Sequence, residues 1–264
     1  MEKKSRKPKV QFVFIGTGDY WNFLPGWYES IDDKLFGYEN EVVKKSYDVY
    51  GDGNINAPGP PSFICNEVAH KEWPYITLER FDTVTPSYSN AQYFNMRDDD
   101  WIIFLDADTR VVADISLEEF FGDALNDPNK KYIGVHHPCH YLKFPPHDKY
   151  PGAFETNPLS KSAINEEDWE RGVYFQGCLW GARVSSWLTI CNELSDRIYE
   201  EHKNKVIAKW HDESHLNKFF MEHFDEVHVL GPEYAYPEVF ADACVGHFEP
   251  KIVHLAKDNS KYQK

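Results

Sequence analysis

The chain has little that would staple or anchor it. Its five cysteines, Cys65, Cys139, Cys178, Cys191 and Cys244, are scattered through 264 residues with no C-x-x-C spacing. That argues against a zinc ribbon or a disulfide framework and for a reducing compartment. No apolar run approaches the about 18–20 residues that span a bilayer, and no signal peptide is visible, so the expectation is a soluble, cytoplasmic protein. Positive charge is scarce too. With 28 Lys+Arg against 43 Asp+Glu the formal net charge is −15, which argues against a nucleic-acid partner. One basic cluster, Lys3, Lys4, Arg6, Lys7 and Lys9, reads as a solvated tail over residues 1–9. There is no internal repeat and no low-complexity tract.

What is present is apolar and aromatic material, 42% and 16% of the residues, enough for a large core and aromatic-lined clefts. Residues 10–15 (VQFVFI), 41–50, 101–105 (WIIFL), 132–135, 227–230 and 252–255 read as strands. Residues 21–35, 76–96 (broken near Pro86), 183–203 and 214–224 read as helices. Ser116 is placed to cap a helix running to about residue 125, with Glu118 and Glu119 in its first turn. Residues 51–61 are a loop by composition, and 136–170 is a Pro- and His-rich stretch without a period. Strands alternating with helices predict an α/β fold, a mostly parallel sheet flanked by helices.

Two acidic pairs carry the chemistry. Asp106 and Asp108 follow the clearest strand, where open α/β sheets bind ligands, and alternate residues of an extended segment face the same way. Hard carboxylate oxygens suit Mg²⁺ or Mn²⁺ bridging to a diphosphate. A solvated turn is the plain alternative. A D-x-D-x-T phosphatase is another, although Thr109 stands one place early for it. The second pair, Asp212 and Glu213, lies in WHDESHLNK (210–218) at the start of a helical pattern. A carboxylate there can simply serve the orphan N–H groups of a helix N-terminus. Trp210 and His211 beside it look like a ring for a sugar face and a donor to a hydroxyl. His211 and His215, four apart, invite a zinc reading, but the glutamate is misplaced for a helical zinc-protease motif.

WHDESHLNK closely resembles the most diagnostic segment of the retaining α-1,3-galactosyl- and N-acetylgalactosaminyltransferases, the glycosyltransferase family that includes the blood-group A and B enzymes. Further segments resemble that family in order: EWPYITLERF (72–81), FLDADTRV (104–111), HPCHY (137–141), YFQGCLWGA (174–182) and LGPEY (230–234). The resemblance runs from about residue 10 to 258. It implies a GT-A fold, a Rossmann-like nucleotide-binding domain over 10–264. Residues 10–135 would mainly hold UDP and metal. Residues 136–264 would mainly hold acceptor and donor sugar, with a C-terminal lid.

By the same resemblance, Asp106 and Asp108 would hold Mn²⁺ (or Mg²⁺) against the diphosphate of UDP-galactose or UDP-N-acetylgalactosamine. Ile15, Thr17 and Tyr20 would meet uracil and ribose, with Arg80, Ala107 and Lys257 also in the donor site. Gln176, Gly177 and Cys178 would select the donor sugar. Glu213 would face the anomeric carbon, as nucleophile or as stabiliser of same-face attack, and Asp212 would grip sugar hydroxyls. His137, Trp210 and His211 would border a galactose-terminated acceptor. Arg80 as a surface ion pair, Gln176–Cys178 as a buried strand end and His137 as a satisfied loop histidine are the plain alternatives. The chain departs from the family in lacking a membrane anchor and stem, and in the triplet QGC. It also carries Cys139 and His140 at the acceptor side, and Lys261 or Lys264 where the lid has an arginine. A non-catalytic binder of the same fold is the alternative of another class.

Overall fold

The computed structural model describes residues 8–37, 43–52, 62–145 and 147–257. Most of the basic tail, most of the loop expected at 51–61, and both lid lysines Lys261 and Lys264 lie outside the described residues.

Among the described residues, seven strands form the main sheet: β1 (Lys9–Ile15), β2 (Lys44–Gly51), β3 (Phe63–Glu67), β4 (Trp101–Leu105), β6 (Tyr132–His136), β7 (Phe175–Arg183) and β8 (Val227–Leu230). Their order is β3-β2-β1-β4-β7-β6-β8. The small strands β5 (Thr109–Val111), β9 (Tyr236–Pro237) and β10 (Ile252–His254) form a second sheet in the order β5-β10-β9. Strands from both halves of the chain therefore join one main sheet. It is mixed but mostly parallel: β7 runs antiparallel to both β4 and β6, and the other neighbours are parallel.

Both faces are buried, so the central strands are continuous apolar runs rather than alternating ones. Phe12, Phe14, Ile103 and Leu105 enter one core with Trp27 and Phe121, while Val13, Ile102 and Phe104 enter the other. The helix Val184–Lys203 closes that second core along Val184, Trp187, Cys191, Leu194 and Ile198, the face its spacing predicts. Trp187 stacks on Trp180 at 4.9 Å and donates its indole N–H to the Val84 carbonyl, 3.1 Å. Ser116 caps its helix with Glu119 in a reciprocal box.

The differences from the sequence expectation are local. Residues 21–35 begin as a 3₁₀ turn, Gly18–Phe23, before the helix Leu24–Lys34. Residues 76–96 divide into Tyr75–Leu78, Arg80–Val84 and Ser87–Tyr93. Strands β3, β5, β7 and β9 carry no alternation that would reveal them. The stretch 136–170 contains short helices at Pro138–Tyr141 and Glu166–Glu170.

β7 matters most for function. Because it is antiparallel, its first residues lie against the carboxyl end of β4, with Leu105 opposite Leu179. Its pairing with β6 jumps from Gly134–Trp180 to Val135–Gln176, so residues 177–179 bulge from the ladder. Further along β7, Gly181 lies so close to β4 that a Cβ would sit 2.8 Å from the Ile102 carbonyl oxygen. That atom is backbone inside a paired strand and cannot retreat. Gly181→Ala is expected to cost roughly 1–3 kcal/mol of stability. Urea unfolding checks this, as a lowered midpoint at unchanged slope.

Candidate functional site

β4 delivers the first acidic pair. The Asp106 N–H donates to the Cys178 carbonyl at 2.9 Å, and the Thr109 N–H and hydroxyl both return to the Asp106 carbonyl, at 3.0 and 2.7 Å. This tight turn leads into β5 and is not a solvated one: Asp108 is buried, 1% exposed. Its carboxylate meets His254 Nε2 at 3.3 Å and pairs with the Lys257 ammonium. Burial disfavours the charge, but His254 and Lys257 outweigh it and hold the Asp108 carboxyl well below the usual range. Asp106, Asp108 and His254 each offer a ligand atom, all within 4.8 Å of one another. Two hard carboxylates and one imidazole fit a divalent cation such as Mn²⁺.

These residues open onto a cavity of about 210 Å³. Every residue expected at the nucleotide and metal lines it: Ile15, Thr17, Tyr20, Arg80, Asp106, Ala107, Asp108 and Lys257. The Lys257 ammonium lies 4.7 Å above the Tyr20 ring, and Thr17 Oγ1 is 2.9 Å from His70 Nδ1. Sequence reasoning missed His70 and His254. His254 sits at the end of a three-residue strand, and only the pairing of β10 with β5, His254 opposite Thr109, brings it to the acidic pair.

Arg80 joins this cavity to the second acidic pair. Its guanidinium reaches Asp106 Oδ1 and Asp212 Oδ2, each at 3.0 Å, and donates to the Gly177 carbonyl at 3.2 Å. Its plane lies 4.6 Å over Phe104. It is not a surface ion pair. Burial works against its charge, but Asp106 and Asp212 more than offset that and raise its pKa.

The helix His211–Glu222 starts three residues earlier than its sequence pattern suggests, so Asp212 and Glu213 occupy its first turn and Trp210 the cap position. Glu213 turns toward β7. Its Oε1 accepts from the Tyr174 hydroxyl at 2.6 Å and its Oε2 from the Gly177 N–H at 2.8 Å. Burial nonetheless pushes the Glu213 carboxyl up to about 7, against those two bonds, with Asp212 adding to the rise. Burial likewise raises Asp212, against the pull of Arg80. Asn217 rivets helix to strand: its amide donates to the carbonyls of Phe175 and Glu213, at 2.7 and 2.9 Å, and its oxygen accepts the Phe175 N–H at 2.7 Å.

The remaining expected residues lie around this centre. Gln176 is buried, with its amide 3.4 Å from His254 Nδ1, and Cys178 is buried beneath Asp106. Trp210 is 49% exposed, and His211 sits edge-on to Trp73 at 4.6 Å. His137 stacks on His147 at 5.2 Å and lies edge-on to Tyr174 at 5.7 Å. Burial, then His147, lowers its pKa to about 3, so it is neutral. Its Nδ1 accepts the Cys139 N–H at 3.1 Å, which leaves Nε2–H as a donor. The zinc reading of His211 and His215 is overturned. His215 is buried against Glu201 at 3.2 Å, and the cluster with metal-ligand spacing among the described residues is Asp106, Asp108 and His254.

The raised Glu213 carboxyl has a consequence for stability. Its folded pKa of about 7 exceeds the unfolded value near 4.5, so its contribution is present at low pH and is lost as pH rises through 7. Glu213→Gln removes the buried charge. The variant should gain stability over the parent chain between pH 5 and pH 8, by an amount on the order of 2–3 kcal/mol. Urea unfolding of both proteins across that range checks it. A constant difference would refute the raised pKa.

Comparison with known proteins identifies the family. The sequence model of glycosyltransferase family 6 matches residues 63–258. The O-antigen biosynthesis glycosyltransferase WbnI of Escherichia coli is 26% identical over 262 residues, 96% of this chain and 97% of that protein. The globoside α-1,3-N-acetylgalactosaminyltransferase 1 of Mus musculus is 24% identical over 231 residues, 87% of this chain but 61% of its own length. The histo-blood group ABO system transferase 2 of Rattus norvegicus is 24% identical over 170 residues, 64% of this chain and 45% of its own length. The matched residues run from β3 through β10 and include both acidic pairs. A mixed, mostly parallel sheet flanked by helices is the GT-A architecture, and the chain belongs to glycosyltransferase family 6.

Proposed function

We propose that the chain is a retaining transferase that moves galactose or N-acetylgalactosamine from a UDP-sugar to the 3-hydroxyl of a terminal galactoside, with Mn²⁺ as cofactor. The observation that carries this reading is the Arg80 bridge. It ties Asp106, which lines the cavity, to Asp212 and to the carbonyl of Gly177, whose own N–H holds Glu213. The name of the mouse relative, a globoside α-1,3-N-acetylgalactosaminyltransferase, supports the linkage and one of the two donors. We treat residues 10–264 as one catalytic unit.

Asp106 and Asp108 would hold the ion, which as a Lewis acid stabilises the departing diphosphate. Ile15, Thr17 and Tyr20 would receive the nucleoside, Arg80 and Ala107 the phosphate side, and Lys257 a diphosphate oxygen. Gln176 and the bulged Gly177 and Cys178 would face the transferred sugar, and Asp212 its hydroxyls. His137 would donate its Nε2–H to an acceptor hydroxyl, with Trp210 and His211 alongside. Glu213 as carboxylate would face the anomeric carbon, where positive charge develops. The Tyr174 hydroxyl and Gly177 N–H would hold it in place.

If ionised Glu213 is the working form, transfer should fall as pH drops below about 7. Glu213→Gln should bind UDP normally while kcat falls by roughly 10³-fold or more. A flat pH–rate profile together with an active Gln variant would refute the role. UDP release from UDP-galactose and UDP-N-acetylgalactosamine, with and without a lactose-type acceptor, tests the activity. Release should need acceptor and Mn²⁺, stop with EDTA, and be weaker for Asp108→Asn at equal Mn²⁺. UDP-sugar binding without release would leave a non-catalytic binder.

A further inference from the structure

Asp108 has two nitrogen partners on one oxygen. Both His254 Nε2 and the Lys257 ammonium approach Oδ2. The two approaches differ in kind. His254 is fixed by backbone: β10 pairs with β5 in the register His254–Thr109, and the Leu255 N–H donates to the Asp108 carbonyl at 2.8 Å. Its Nε2 is near Asp108 yet makes no aligned hydrogen bond. On the far side of the ring, Nδ1 faces the Gln176 amide, whose buried oxygen has no partner. Exchanging the two ends of that amide lets the oxygen accept from Nδ1–H and turns the Nε2 lone pair toward the acidic pair.

Lys257, by contrast, is held by charge. It lies beyond β10, and its ammonium also rests over the Tyr20 ring. Four carboxylates (Asp106, Asp108, Asp212 and Glu213) stand near two fixed cations, Arg80 and Lys257. Arg80 is committed to Asp106 and Asp212. Of the two, Lys257 is the one in contact with Asp108, in the position that a divalent ion on Oδ2 would need.

We propose that the divalent ion takes His254 as its third protein ligand and enters by displacing the Lys257 ammonium from Asp108, so that ion and nucleoside diphosphate bind cooperatively. The inference rests on the UDP-sugar reading above. An ion arriving alone must break a buried ion pair and leave Lys257 beside a like charge. A diphosphate arriving with the ion gives that ammonium a new anionic partner within the same cavity.

The test is a Mn²⁺ titration by electron paramagnetic resonance on the full chain, with and without UDP and without any sugar acceptor. UDP should tighten Mn²⁺ binding to the parent chain about tenfold or more. Lys257→Met should bind Mn²⁺ alone about tenfold tighter and show a smaller UDP effect, while Lys257→Arg behaves as the parent. Pulsed spectra of the Mn²⁺ complex should show nitrogen modulation that His254→Gln abolishes. Lys257→Met binding Mn²⁺ alone no tighter than the parent would overturn the exchange. Absent nitrogen modulation in the parent would overturn the ligand assignment. Failure of every form to bind UDP would overturn the donor reading, and the coupling with it.

Discussion

The site is held together by one guanidinium. Asp106 and Asp212 lie on separate elements and are both poorly solvated, and bringing two carboxylates together away from water is costly unless a cation lies between them. Arg80 forks to both at 3.0 Å, gives a further bond to the Gly177 carbonyl, and rests on Phe104. A lysine would supply one point charge, not a planar fork. Arg80 opens the helix Arg80–Val84, and Ile76 and Thr77 of the preceding turn line the same cavity. The two acidic motifs are thus one electrostatic unit.

The second constraint is the direction of β7. A parallel strand beside β4 would bring its last residues, not its first, to Asp106. Running antiparallel, β7 starts at the site, and its bulge over residues 177–179 frees backbone groups for use. Gly177 gives its N–H to Glu213 and its carbonyl to Arg80, and the Cys178 carbonyl receives the Asp106 N–H. A Cβ at Gly177 would lie 3.5 Å from the Glu213 Cβ, an ordinary contact. The strand can therefore vary its side chain there while its backbone continues to position the carboxylate.

Sequence patterning made β1, β4 and the helix Val184–Lys203 legible because each is long or strongly apolar. It also exposed both acidic pairs, whose density on short segments is unusual. It could not show β7, which is buried on both faces and interrupted by Gly177 and Gly181, nor the three-residue β5, whereas β10 was legible as a strand over 252–255. The role of His254 stayed invisible even so. An isolated histidine in Ile252–His254 carries no local signal, and its place beside Asp108 is a product of tertiary register alone. Tyr174 and Asn217 stood inside recognisable segments, but their bonds to Glu213 and to β7 depend on the helix crossing the strand.

Glu213 shows how that crossing serves the proposed chemistry. A carboxylate exposed to water would already be stabilised before reaction, and developing positive charge nearby would gain little more from it. Here burial has removed that stabilisation, and the carboxyl sits near neutrality with a pKa of about 7. Two donors aimed at its oxygens leave ionisation accessible and orientation fixed. A positive centre forming beside it would be paired in a medium of low polarity, where the interaction is stronger than in water. The stabilisation therefore falls mainly on the charge-separated state, the difference that lowers a barrier. Among the described residues Arg80 pairs with Asp106 and Asp212 and bonds the Gly177 carbonyl, with no ion pair to Glu213, so its charge is spent on the neighbouring carboxylates.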